Sequence, residues 1–177
     1  EAFTAEKYGL FLKELNGVHA GKIDFRVAET PIFVSKEFTG KMLEACESII
    51  DIITGPDFKK LTAKAIPENV KVSGEDAHTQ FIAFDFGICT SEAGGYEPQL
   101  IEMQGFPTMF AYEILLDDIF RNNFPVPGNF SCDLGGYNRE SYIQLLKDIL
   151  IAGHDPENVV LLEIFPHQQK TRHLIYR

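Results

Sequence analysis

Phe81-Ile82-Ala83-Phe84-Asp85-Phe86-Gly87-Ile88-Cys89 is apolar on both alternating faces and carries a single charge. A run of this length and composition predicts a strand covered on both sides. Gly94-Gly95 marks a turn, and Gln99-Leu100-Ile101-Glu102-Met103-Gln104 reads as a second strand. The two lie close enough to pair as a hairpin with a long loop. Because side chains alternate along a strand, Ala83, Asp85 and Gly87 share a face, with Phe84, Phe86 and Ile88 on the other. On the second strand Leu100, Glu102 and Gln104 share a face, opposite Ile101 and Met103. Pairing the strands lets Asp85, Glu102 and Gln104 converge on one small volume.

Working outward, Thr4 is placed to cap a first helix to about Leu15, closed by Asn16-Gly17, with Tyr8, Phe11, Leu12 and Leu15 as its apolar stripe. Extended stretches follow at Ile23–Val27 and Pro31–Val34. Ser35 opens a long helix whose buried face is Met42, Leu43, Cys46, Ile49, Ile50 and Ile53, and Gly55-Pro56 stops it. A short helix covers Asp57 to Ala65. Beyond the hairpin, a helix spans about Thr108 to Asn122, and Asn138 or Ser141 opens another that ends at Gly153. Asn158-Val159-Val160-Leu161-Leu162-Glu163-Ile164 reads as a buried, parallel-type strand, followed by Pro166 and a polar turn. The fold class expected is mixed α/β (α+β): a central sheet with flanking helices.

Composition narrows the function classes. The chain has 177 residues, 45% of them hydrophobic, with fifteen Phe, six Tyr and no Trp, which suffices for an aromatic-rich core. Its net charge of −10 disfavours nucleic acid, since phosphate backbones are repelled. The same charge is compatible with ATP when Mg²⁺ sits between carboxylates and phosphates, and it also serves simple solubility. Cys46, Cys89 and Cys132 are far apart and form no CxxC pair, so neither a zinc ribbon nor a disulfide framework is indicated. No apolar run approaches the ~20 residues of a membrane span, and a cytoplasmic protein is expected. The chain begins without Met and ends inside what reads as a continuing element, so a piece of a longer protein is expected.

An ionised carboxylate taken into an apolar sheet costs several kcal/mol unless paired or bound to metal. Two carboxylates and an amide oxygen are hard ligands of the kind Mg²⁺ accepts when phosphates complete its shell. Ala83 and Gly87 are small and leave room beside Asp85. The structural alternative is that Asp85 caps a neighbouring backbone or pairs with Arg26.

Phe-Asp-Phe-Gly at 84–87, a variable turn, then Pro-Gln-Leu-Ile-Glu-Met-Gln-Gly-Phe-Pro at 98–107 resembles the metal-binding strand pair of ATP-grasp enzymes. That family carries an acidic residue on one strand and a Leu-Ile-Glu-x-Asn stretch on the next. The resemblance implies joining of a carboxylate to an amine or thiol through an acyl phosphate, with ATP and Mg²⁺ as cofactors. It matches Asp85 and Glu102 to the magnesium-binding acids, and Gln104 stands where the family has Asn. The early position of the motif resembles the circularly permuted branch, related to glutathionylspermidine-synthase-like proteins. On that basis 1–125 is an ATP-grasp-like portion and 126–177 the start of a second, substrate-side αβ domain. No GxxxxGK[ST] loop and no GxGxxG fingerprint is present, and the lobe that would clamp ATP is not identifiable. The fragment alone is therefore expected to bind nucleotide poorly.

Lys170 and Arg172 follow the last expected strand, where α/β folds place ligand loops. They are candidates for holding phosphate or an anionic substrate, or else a solvated helix start. Arg26 is a candidate carboxylate clamp. His78 precedes the first strand and is within possible reach of Asp85, with a surface role as the alternative. Cys89 reads as packing. The function expected is part of an ATP-dependent carboxylate–amine ligase, with ATP and a small carboxylate or amine substrate as partners. The alternatives are a non-catalytic binding or assembly domain and a metal-dependent hydrolase.

Overall fold

A computed structural model describes residues 3–18, 23–76, 79–105 and 109–170. Helices dominate, and one two-stranded antiparallel sheet accompanies them. The described chain is thus mixed helix and strand, as expected. The larger central sheet is not formed among the described residues. By internal contacts the chain groups into two compact units, Glu1–Phe33 with Thr108–Arg177, and Val34–Pro107. The expected boundary at 125–126 falls inside the first of these.

Among the described residues the first unit is built on three α-helices, α1 (Ala5–Val18), α4 (Phe110–Asn123) and α5 (Arg139–Ile151). The stripe read from α1 is real: Phe11 and Leu15 are fully buried, and Tyr8 and Leu12 pack around them. They meet Ile119, Phe120 and Phe124 from α4 and its end, with Phe11 and Phe120 stacked at 4.5 Å. Burying such side chains stabilises by roughly 1.5–3 kcal/mol each. Glu14 fastens the same pair of helices by accepting from Asn122 and Asn123 at 2.8 and 2.7 Å. Ile23 and Val27 complete the core from an extended segment that forms no strand.

Asn138 caps α5, and α4 is joined to α5 by the Arg139 guanidinium on Asp118 at 2.6 Å. Residues 158–164, expected as a buried strand, are neither strand nor buried. Val160, Leu162, Ile164 and Phe165 are 70% exposed or more. The side-chain pattern supports a strand, but no neighbouring strand among the described residues offers the ladder and cover that one needs.

The second unit contains α2 (Lys36–Ile53), α3 (Phe58–Thr62), β1 (Ala83–Thr90) and β2 (Tyr96–Gln104). Ser35 caps α2 by accepting from Phe38 N–H at 3.2 Å, and the helix stops before Gly55-Pro56. Its expected inner face is only half covered: Met42, Cys46, Ile49, Ile50 and Ile53 are partly buried, Leu43 is exposed, and Phe38 alone is buried. Lys59 pairs with Glu75 at 3.0 Å and also donates to the Asp76 carbonyl.

Candidate metal centre

β1 and β2 pair antiparallel through a five-residue connection, 91–95, in which Gly94 and Gly95 take φ of +88° and +89°. A side chain at either would be strained. Ser91 stiffens this end, donating from its hydroxyl to Glu97 at 2.8 Å. At the open end Thr79 Oγ1 donates to the carbonyls of Phe81 (2.7 Å) and Gly105 (3.0 Å), tying the two strand termini together.

The register sets Asp85 opposite Glu102 and Ala83 opposite Gln104. Directly opposed residues of an antiparallel pair share a face, their Cβ atoms ~5 Å apart. Asp85, Glu102 and Gln104 are therefore brought together, as the alternation implies. Between Asp85 and Phe86 the register shifts, because β2 carries an extra residue and Phe86 stands opposite Leu100. This β-bulge at Ile101 corrects two expectations. Leu100 no longer shares the face of Glu102. The space over Gly87 is occupied by Ile101, whose Cδ1 lies 3.6 Å from where a Gly87 Cβ would sit. The room for a ligand beside Asp85 is thus on the Ala83 side only. Strict two-residue alternation cannot reveal a bulge; Gly87 was the one signal, since a glycine inside a strand often marks one.

Burial overturns the cost argument. Asp85 and Glu102 are exposed and Gln104 is half-buried, so neither carboxylate is forced to find compensation. Like charges directly opposed still repel. No cationic side chain among the described residues answers them: Arg26 pairs instead with Glu29, as an exposed i,i+3 pair. The local sequence explains this lack, since no Lys or Arg occurs between Lys71 and Arg121. Over the same stretch the hairpin carries Asp85, Glu92, Glu97 and Glu102.

Lys170 is exposed and belongs to the other unit, while Arg172 and His78 lie outside the described residues. Cys89, expected as packing, is exposed near the turn. Among the described residues no group of three or more His, Cys, Asp and Glu is placed to hold a metal. Two acids with one amide oxygen are too few for an all-protein cage. They suit Mg²⁺ that keeps several waters and takes further oxygens from phosphates.

Compared with protein-family models, with curated proteins and with solved structures, the chain matches none. No helix among the described residues is long and apolar enough to cross a membrane.

Proposed function

We propose that the β1–β2 hairpin is the Mg²⁺-holding element of an ATP-dependent carboxylate–amine ligase. One observation carries this reading: Asp85 stands opposite Glu102, with Gln104 on the same face. The order of residues resembling the ATP-grasp strand pair supports the same assignment. Bound there, Mg²⁺ would supply positive charge to phosphate oxygens. The chain's own part is to fix two carboxylates on adjacent strands. The bulge and the Thr79 tie hold the register that keeps them opposed. Lys170 and Arg172 are proposed to hold an anionic group of substrate or nucleotide.

A second reading, a non-catalytic binding or assembly module, is favoured by exposure. Both carboxylates face solvent, as do Ile88, Leu100, Ile101 and Met103 of the same hairpin. Titration of Mn²⁺ into the full-length protein, followed by water-proton relaxation with and without ATP, separates the two. The ligase requires saturable binding that ATP strengthens and Glu102→Ala abolishes. Tight binding indifferent to ATP would instead indicate a metal-dependent hydrolase. Absence of binding to the folded protein leaves Asp85 and Glu102 as surface acids of a binding module.

A further inference from the structure

In the first unit, residues 23–27 run across α1 and are tacked to it at both ends. Asn16 Oδ1 accepts from Ile23 N–H at 2.9 Å, and the Tyr8 hydroxyl donates to the Val27 carbonyl at 2.6 Å. Asn16 is itself braced, its amide donating to the Leu12 carbonyl at 2.7 Å. Between these two ties lies a cavity of about 210 Å³. Its lining is apolar for the most part, with Leu12, Leu15, Ile23 and Phe25 among the contributors, and among the described residues Arg26 is the one charged residue on it. We propose that this cavity binds a small organic carboxylate with an apolar body, the body entering between α1 and residues 23–27 and the carboxylate meeting the Arg26 guanidinium.

Size, polarity and charge each restrict the ligand. Pockets for drug-sized molecules run to about 300–1,000 Å³, so this one suits a shorter chain or a single ring. The polar groups of Tyr8 and Asn16 are already committed to the ties, leaving the walls to select apolar surface. Arg26 is exposed and, among the described residues, its ion-pair partner is Glu29, three residues on. An exposed pair of that kind is worth little, so exchanging the Glu29 carboxylate for that of a ligand costs little, and guanidinium favours the two-pronged geometry of a carboxylate. Both ends of the wall are pinned before any ligand arrives, which limits the ordering cost of binding. This site is independent of the Asp85–Glu102 pair and requires neither metal nor nucleotide.

The test is a titration of hexanoate, without metal or ATP, into the full chain, followed by amide chemical shifts. Hexanamide and the variants Arg26→Gln and Leu12→Trp are run in parallel. Saturable shifts at Leu12, Ile23 and Phe25 are expected, with a dissociation constant of order 1 mM for so few ligand atoms. Hexanamide and Arg26→Gln should each weaken binding several-fold, and the indole of Leu12→Trp should fill the space and abolish it. Arg26→Gln alters only an exposed side chain and keeps the test sound should Leu12→Trp fold poorly. No saturable shift, or equal binding of acid and amide, or unchanged affinity in Arg26→Gln, overturns the assignment. Because the titration contains no metal, its failure leaves the hairpin reading untouched.

Discussion

Asn138 and Ser141 cap one another reciprocally: the Asn138 side chain accepts from Ser141 N–H at 2.9 Å, and Ser141 Oγ accepts from Asn138 N–H at 2.9 Å. The pair satisfies two backbone donors at the start of α5 that the helix itself cannot. Asn138→Ala should therefore lower stability by about 1 kcal/mol, measured as a shift in the urea midpoint with unchanged slope. Asn138→Asp should retain most of the wild-type value, because a carboxylate caps as well and favours a helix N-terminus.

Tyr112 is 7% exposed, and its hydroxyl is the buried side-chain polar atom that finds no hydrogen-bond partner among the described residues. Burial, with a smaller push from the Glu113 carboxylate, raises its pKa to about 12. The folded state thus holds the proton more tightly than the unfolded chain, whose tyrosine titrates near ~10. The associated stability is complete below pH ~10 and is lost as pH rises towards about 12. Its size is about 3 kcal/mol at most, at ~1.4 kcal/mol for each pH unit of displacement. Tyr112→Phe should flatten the alkaline limb of a stability–pH curve. At neutral pH it should leave stability unchanged or raise it by up to ~1 kcal/mol, since an orphan hydroxyl is removed.

Phe11→Ala and Leu162→Ala are a contrasting pair. Phe11 is fully buried against Phe120 and Phe124, so its truncation should cost roughly 3–5 kcal/mol. Leu162 is 89% exposed, and its truncation should change the unfolding midpoint by less than ~0.5 kcal/mol. A large loss in Leu162→Ala would show that this side chain is covered in solution.

Replacing Glu102 by Lys converts an opposed like-charge pair into an opposite-charge pair. In metal-free buffer Glu102→Lys should stabilise the hairpin slightly, by about 0.5 kcal/mol, and less at high salt. Any thermal shift that Mg²⁺ and ATP produce in the wild type should vanish in the same variant. Calorimetry with and without the ions reads both effects. A wild type already insensitive to ions, together with a stable Glu102→Lys, would favour the binding-module reading.

Local signals carried most of the helices and the hairpin. Ser35, Gly55-Pro56 and Asn138 are boundary residues whose chemistry acts within a few positions, and the structure places helix ends beside each of them. The hairpin was legible because two β-type runs flank a pair of glycines. Depth of burial was not legible. The run 81–89 has the composition of a covered strand, yet its cover depends on further layers that no local pattern specifies, and Asp85 is exposed as a result. The 158–164 stretch fails for the same reason, since apolarity states what a segment would bury and not what lies beside it. At the candidate site, alternation placed Asp85, Glu102 and Gln104 together correctly. It missed the bulge, which is a property of the paired strands.

The exposed stretch Val159-Val160-Leu161-Leu162-Glu163-Ile164-Phe165 also has a colloidal consequence. Seven residues of high β-propensity, with one charge and no proline, suit stacking of identical chains into cross-β assemblies. Repulsion from a net charge of −10 opposes that encounter near neutral pH. It fades as pH falls towards the isoelectric point of about 4.9. Aggregation of this chain should therefore accelerate on mild acidification, seeded at 159–165 and slowed by a lysine placed at 162.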